Sequence, residues 1–309
     1  MNDIFNKALI SGVERISAWS DLLDEINVYP VADGDTGRNL LISMSPLRQI
    51  SKDRSKTVQA LLLAARGNSG NIAARFFSGF LTAVSEGDLS KAANLGRDYA
   101  WTAVNEPKKG TMLTVFDALC EALGNGISKS ENKTTAIIDH LEEAVHSTVN
   151  LLPRLKKANV VDAGALGMFI FFEGFFNALT DNIHMREYRP IMKVFKNKLA
   201  VSSSFKEDDE AGYCVDMVLK ADENSAEAIK KAQTDKSAVI IQDKDYIKIH
   251  IHTNNTAKAR DKFSSYGLVK WEDDDIGAQI KEFKTSQKKQ AIHIMTDGAG
   301  SVKIGRAHV

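Results

Sequence analysis

Two aspartates flanking one glycine, Asp33-Gly34-Asp35, are the first residues of the chain whose types and spacing could do chemistry. They lie within Asn27-Val28-Tyr29-Pro30-Val31-Ala32-Asp33-Gly34-Asp35-Thr36-Gly37-Arg38-Asn39. Carboxylates two apart in an extended turn can point to one side, and hard oxygen ligands on a loop suit Mg²⁺ or Ca²⁺. The turn runs into a predicted helix at Asn39-Leu40-Leu41, whose N-terminal amides favour phosphate. Taken alone, the tripeptide reads more plainly as an ordinary Asp-Gly turn with an N-cap. An EF-hand is disfavoured, because the further ligand pair and the closing Glu are missing.

Three other polar turns carry glycine at the ends of predicted helices. Ala65-Arg66-Gly67-Asn68-Ser69-Gly70 offers a hydroxyl, an amide and backbone that can approach a ligand closely. It is no Walker loop, since no Gly-Lys-Ser/Thr follows, and by itself it is a helical corner. Lys108-Lys109-Gly110-Thr111-Met112 adds two lysines, and Val160-Val161-Asp162-Ala163-Gly164-Ala165-Leu166-Gly167 is the fourth turn. Gathered at one end of a bundle, the four turns would form a pocket for phosphate and metal.

A different chemistry is offered by Tyr246-Ile247-Lys248-Ile249-His250-Ile251-His252. In a strand the isoleucines face one way and Lys248, His250 and His252 the other, the two imidazoles about 7 Å apart along one face. Cys214 lies in a second alternating run. If the two strands are neighbours, Cys214, His250 and His252 make a set suited to Zn²⁺. The alternative is two surface histidines and a small buried thiol. No fourth ligand is evident, and His140, His146, His184 and His293 show no partner pattern.

The elements that must position these groups fall into two textures. Up to about Leu179 the spacing is helical. Ile4, Leu9, Val13, Ile16, Leu23 and Ile26 build one apolar face. Further runs are expected at Val58–Ala65 with Ser55 as N-cap, then at Ile72–Val84, Leu89–Val104, Met112–Leu123, Thr135–Leu152 closed by Pro153, and Gly164–Leu179. Five phenylalanines between Phe169 and Phe176 mark the last run as the buried centre of a bundle, with lipid binding the minor alternative. After Tyr188-Arg189-Pro190 the period changes. Strands are expected at Lys198–Ser204, Tyr213–Leu219, Ala238–Gln242 and Tyr246–His252, and helices at Ala226–Gln233, Thr256–Tyr266 and Ile276–Lys284. The runs Glu207–Glu210 and Glu272–Asp275 are read as a solvated loop and as acid at a helix start. The fold class is therefore multidomain: an all-α N-terminal bundle over residues 1–188, then a smaller α+β domain over 189–288.

Composition narrows the function classes. The 309 residues hold 40 basic and 40 acidic side chains, so no overall basic field recruits nucleic acid or an acidic membrane. No apolar run reaches the ~18 residues of a membrane span. The start of the chain does not read as a signal peptide. Two distant cysteines, Cys120 and Cys214, fit a reduced, cytoplasmic setting.

The four turns together carry a family resemblance. Val31–Gly37, Ala65–Gly70, Gly110-Thr111-Met112-Leu113-Thr114 and Val160–Gly164 resemble the motifs of the nucleotide-binding (DhaL) domain of dihydroxyacetone kinases. The chain is more closely similar to the ATP-binding subunit of bacterial fatty acid kinase, over residues 1 to about 300. It departs from the pattern at Ala32 (usually Pro), Arg38 (usually Thr) and Ala165-Leu166 (often Gly-Gln). The resemblance implies a helical, barrel-like bundle holding ATP and Mg²⁺ at one mouth. Asp33 and Asp35 would be the catalytic magnesium ligands, with Asn27 or Asn39 completing the shell. Asn68, Ser69 and Gly70 would hold phosphate. Thr111 and Met112 would sit near the nucleotide, and Asp162, Ala163 and Gly164 would line its base and sugar end. It also implies a structural zinc on Cys214, His250 and His252.

The activity so implied is transfer of the γ-phosphoryl group of ATP to a fatty acid held by a partner protein, giving an acyl phosphate. A carboxylate acceptor is already ionised near pH 7 and needs no general base, and no clear base is present. The competing readings are a glycerone-type kinase and a nucleotide- and zinc-binding regulatory protein without turnover. The oligomeric state, a homodimer included, stays open. Residues 289–303, with an expected strand at Ala291–Met295, read as the start of a third domain that by resemblance docks the lipid carrier. Residues 304–309 match an adapter-encoded tail and are set aside. A chain of this length is expected to bind Mg-ATP while phosphorylating little fatty acid.

Overall fold

The computed structural model describes residues 3–84, 88–124, 133–179, 188–205, 212–235 and 237–287. The helical half follows the apolar spacing closely. It comprises α1 (Asp3–Glu25), α2 (Thr36–Met44) with a 3-10 turn at Ser45–Arg48, α3 (Arg54–Ala64) and α4 (Gly67–Ala83). Then come α5 (Leu89–Ala103), α6 (Met112–Gly124), α7 (Lys133–Leu151), α8 (Pro153–Ala158) and α9 (Ala163–Leu179). Every residue from Ala163 to Ala178 is buried, so α9 is the axis around which the others pack. Its phenylalanines interlock with those of α4 and α6. Phe76 stacks on Phe116 at 4.1 Å between ring centroids, and Phe172 meets Phe76 edge-on at 5.7 Å. Full burial of each such ring contributes about 1.5–3 kcal/mol. The cluster is core and presents no lipid-binding surface. The one acid inside it, Glu173, is paired with Arg15 and accepts the Arg189 amide.

One helix start differs from expectation. Asp53, two residues before Ser55, caps α3 by accepting the Ser55 amide at 3.1 Å. α7 ends at Leu151, just before Pro153 as expected, and Pro153 also opens α8, where its missing N–H costs nothing.

After the short α10 (Ile191–Val194), the segment Lys198–Ser204 is irregular and is no strand. Its backbone bonds back to the bundle instead, with Ser202 N–H donating to the Ala158 carbonyl at 2.9 Å and Lys198 accepting from Val161 at 3.1 Å. The α+β part is β1 (Tyr213–Lys220), α11 (Ser225–Ala232), β2 (Val239–Gln242), β3 (Tyr246–Thr253), α12 (Thr256–Ser264), β4 (Leu268–Asp275) and α13 (Ile276–Gln287). The strands form an antiparallel sheet in the order β2-β3-β1-β4. The sequence pattern does not predict β4. It contains Glu272, Asp273 and Asp274, read from sequence as acid at a helix start, and pairing with β1 makes them strand. Asp275 alone keeps the expected role, accepting the Ala278 amide at 2.8 Å as α13 begins.

Alternation gives the sheet two faces. Val215, Met217, Leu219, Ile247, Ile249 and Ile251 pack with Ala228, Ala232 and Phe263 of α11 and α12. The opposite, polar face lies against the bundle. Lys248 Nζ donates to the Ala65 carbonyl, Arg75 to the Gln242 carbonyl at 3.2 Å, and Asn105 N–H to the Ala238 carbonyl at 3.0 Å. The expected strand at Ala291–Met295, the run Glu207–Glu210, His184 and His293 lie outside the described residues.

Candidate active site

The acidic turn is held from both sides. Asn27, just after α1, donates its amide to Asp33 Oδ1 at 2.6 Å. Asp24, in the last turn of α1, accepts the Gly37 N–H at 2.6 Å and the Arg38 N–H at 3.3 Å, tying down the start of α2. A side chain at Gly37 would run into the Ser20 carbonyl, so α1 and α2 can approach this closely only with glycine there. Gly34 has φ +69°, a left-handed conformation that glycine adopts without strain, and Phe283 of α13 lies over it. Asp33 is buried, and burial followed by its neighbour Asp35 pushes its carboxyl well above the usual range. Burial likewise raises Asp24 to about 7, against the opposing pull of Arg38. Two acids forced together in low dielectric are what a divalent cation would relieve.

The other three turns converge on the same place. A cavity of about 310 Å³ is lined by Asp33 and Asp35, by Asn68 and Ser69, by Thr111 and Met112, and by Asp162 and Gly164. Asn68 and Ser69 belong to the first turn of α4, whose N–H groups have no acceptor within the helix. Lys108 and Asn27 also line the cavity. Thr111 accepts the Leu113 amide at 3.3 Å, at the start of α6. Asp162 Oδ1 accepts the Ala165 amide at 2.8 Å, so it is the N-cap of α9 as well as a cavity wall. Burial raises its carboxyl to about 7 despite that bond.

Three expected ligands are placed differently. The Gly70 amide is already bonded to the Arg66 carbonyl at 3.1 Å, and a side chain at Gly70 would strike Ser43 of α2. Gly70 therefore lets two helices approach and offers no free donor to phosphate. Ala163 is a buried first residue of α9 and is not part of the cavity lining. Asn39 lies behind Gly67, facing a second cavity of about 610 Å³ on the far side of the acidic turn. Asp35, Gly67 and Cys214 border both cavities.

Cys214, His250 and His252 do come together, and they do so in the wall of the first cavity, facing the acidic turn. The ladder puts Cys214 opposite His252 across β1 and β3. The thiol and the two imidazoles offer ligand atoms within 4.8 Å of one another, and His250 Nε2 lies 3.3 Å from His252 Nε2. Two nitrogens bound tetrahedrally to zinc at about 2.0–2.1 Å stand at that separation. Burial and then His250 push His252 down to about 3, so its ring is neutral, as a ligand must be. Burial raises the Cys214 thiol strongly, and Asp33, Asp35, Asp216 and Asp274 add to this. Asn68 Nδ2 lies 3.4 Å from His252 Nε2, linking the cluster to the first turn of α4. Among the described residues this is the one Cys/His/acid group compact enough to hold an ion.

The cavity is thus a nucleotide-sized cleft at the mouth of a helical bundle, walled by a small sheet. Residues 30–177 match the DAK2 domain, and residues 210–282 match the middle domain of FakA-like fatty acid kinase subunits. These two matches in this order show that the chain belongs to the DhaL-like domain family, close to the FakA-type subunits of fatty acid kinase. The matched domains are kinase-related. Uncharacterized proteins of Staphylococcus aureus strains USA300, NCTC 8325 and COL are 30% identical to it over 313 residues, covering 90% of this chain and 56% of theirs. The chain therefore spans about half the length of the curated relatives it matches. Among the described residues no helix is long and apolar enough to cross a membrane.

Proposed function

We propose that the chain is an ATP- and Mg²⁺-dependent kinase subunit that passes the γ-phosphoryl group to a fatty acid presented by a partner protein. The observation that carries this reading is the convergence of four sequence-distant polar turns on one cavity, with Asp35 beside a buried Asp33 whose carboxyl is raised by burial and by that neighbour. Asp33 and Asp35 would hold magnesium, with the Asn27 side chain fixing Asp33 through the 2.6 Å hydrogen bond. The cation supplies charge neutralisation to the phosphates. The rest of the work falls to the chain. The Asn68 and Ser69 amides in the first turn of α4 receive phosphate, Lys108 adds positive charge, and Met112 with Tyr29 and Val104 offers an apolar floor for a base. Cys214, His250 and His252 would hold zinc, whose place beside the phosphate end favours shaping the cavity over a purely remote structural role.

A fatty acid is preferred over dihydroxyacetone because residues 210–282 match the fatty acid kinase middle domain. The test is calorimetric titration of ATP with and without Mg²⁺, followed by phosphoryl transfer to a fatty-acid-loaded carrier and to dihydroxyacetone. Magnesium-dependent ATP binding is the expected result, with acyl phosphate as the product of the low turnover expected of a chain of this length. ATP binding indifferent to Mg²⁺, or turnover with dihydroxyacetone alone, overturns the reading.

A further inference from the structure

We infer that Asp216 is a positioning residue that fixes the Cys214–His250–His252 metal site and the phosphate-facing turn of α4 with one carboxylate. The inference rests on the metal reading above and adds a residue and a coupling to it.

Asp216 stands two residues after Cys214 on β1, on the same face, and the ladder sets it opposite His250. Its side chain is only 12% exposed, and four donors from both halves of the chain converge on it. Oδ2 accepts the Gly67 N–H at 3.0 Å and lies 3.2 Å from His250 Nδ1. Oδ1 accepts from Asn71 Nδ2 at 2.9 Å and lies 3.7 Å from Lys248 Nζ. The His250 contact is close although bent from the ideal hydrogen-bond line. A carboxylate has about four acceptor positions, and here all of them face donors.

The consequence for His250 is chemical. Its ring is fully buried, and a carboxylate at Nδ1 keeps the proton on that nitrogen. The lone pair then sits on Nε2, the atom 3.3 Å from His252 Nε2. Ligating histidines are oriented in this way by the group behind them. The consequence for the bundle follows from the other bonds. Gly67 has φ +58° and precedes Asn68 and Ser69, so the atom that orients His250 also anchors the residue from which α4 departs. The Asn68–His252 contact is a second tie between the same two places.

The experiment compares the full chain with Asp216→Asn and Asp216→Ala. Co²⁺ replaces zinc as a spectroscopic probe, chelator competition gives zinc affinity, and calorimetry gives Mg-ATP affinity. In Asp216→Asn one atom still faces both Gly67 and His250: as the amide oxygen it is an uncharged, weaker acceptor for the His250 Nδ1 proton and turns its NH₂ toward Asn71 and Lys248, and as the NH₂ it opposes the Gly67 N–H and drives the ring proton to Nε2. Zinc affinity is expected to fall roughly 10–100-fold, with the tetrahedral thiolate–cobalt spectrum altered and Mg-ATP binding less affected. Asp216→Ala is expected to lose zinc affinity and also to weaken Mg-ATP binding. Circular dichroism checks that each variant folds, and the isosteric Asn decides the matter if Ala does not. Wild-type cobalt uptake with both variants unchanged overturns the coupling while leaving the metal site standing. A wild type that takes up no cobalt overturns the metal reading and this inference with it.

Discussion

The acidic turn and the Cys/His cluster face each other across one cavity, yet they are built on opposite plans. Asp33 and Asp35 sit on a loop and owe their place to local bonds, from the Asn27 side-chain amide to Asp33 and from the Gly37 N–H to Asp24. Cys214 and His252 sit 38 residues apart in sequence and are brought together by strand register alone. A loop site of the first kind is written in one short run of consecutive residues. A ladder site of the second kind exists only once two strands have paired, and it is rigid because every backbone bond of the ladder holds it.

Removing the proposed ligands should separate the two plans most sharply. Asp33→Ala or Asp35→Ala is expected to lower phosphoryl transfer by more than ~100-fold, since cation stabilisation of a phosphoryl transition state is worth several kcal/mol. The helical circular dichroism should stay unchanged, and normal turnover in both variants would sink the magnesium assignment. On the opposite wall, changing His250 and His252 together to Ala should take zinc from one ion per chain to none by metal analysis. Zinc retained in that variant would show that the ladder cluster is not the site.

Backbone and charge changes sharpen the contrast at smaller scale. Gly37→Ala should destabilise the protein by about 1–3 kcal/mol, at the upper end because the obstacle is the Ser20 backbone carbonyl. Urea unfolding measures it, and an unchanged midpoint would mean that α1 and α2 can part without cost. The pH profile probes Asp162. Its carboxyl is raised by burial from 3.8 to about 7, so its contribution to stability is full below pH 3.8 and is lost as pH rises through 7. Asp162→Asn keeps a capping side chain and should flatten the fall in melting temperature between pH 4 and 7.5. A profile as steep as wild type would remove Asp162 as its source. The smallest effect is expected at the rim, where Arg66 and Glu272 pair at 3.1 Å with side chains 44% and 31% exposed. Arg66→Gln should cost less than ~1 kcal/mol, and more so at low salt than at high. A larger loss would make the rim pair, rather than buried Asp216, the main link between the halves.

Which elements are legible in the sequence follows the same division. Helix positions in the bundle are legible because burial on one face imposes a 3.6-residue period that α1 and α4 display, while α9 is legible as an apolar run buried all round. Strands β1, β2 and β3 are legible from alternation. β4 is not, because Glu272, Asp273 and Asp274 carry no apolar signal and are held as strand by pairing with β1. Lys198–Ser204 misleads in the opposite sense. Its apolar Leu199 and Val201 pack against the bundle without any strand to pair with.

What the sequence determined by itself was the chemistry on offer: two acids in a glycine turn, three further polar glycine turns, and a His-x-His beside a distant cysteine. Residue type and short-range spacing suffice for that, since turns and alternation are local. What the tertiary structure decided was which groups share a site and which serve packing. It turned Gly70 into a contact between α2 and α4, set Asn39 behind Gly67, and made Asp162 a helix cap on the cavity wall. It also brought Asp216 under His250 and against Gly67. No local pattern marks Asp216, because its four partners come from α4 and β3, and only the docking of a polar sheet face on a helix N-terminus brings them within bonding distance.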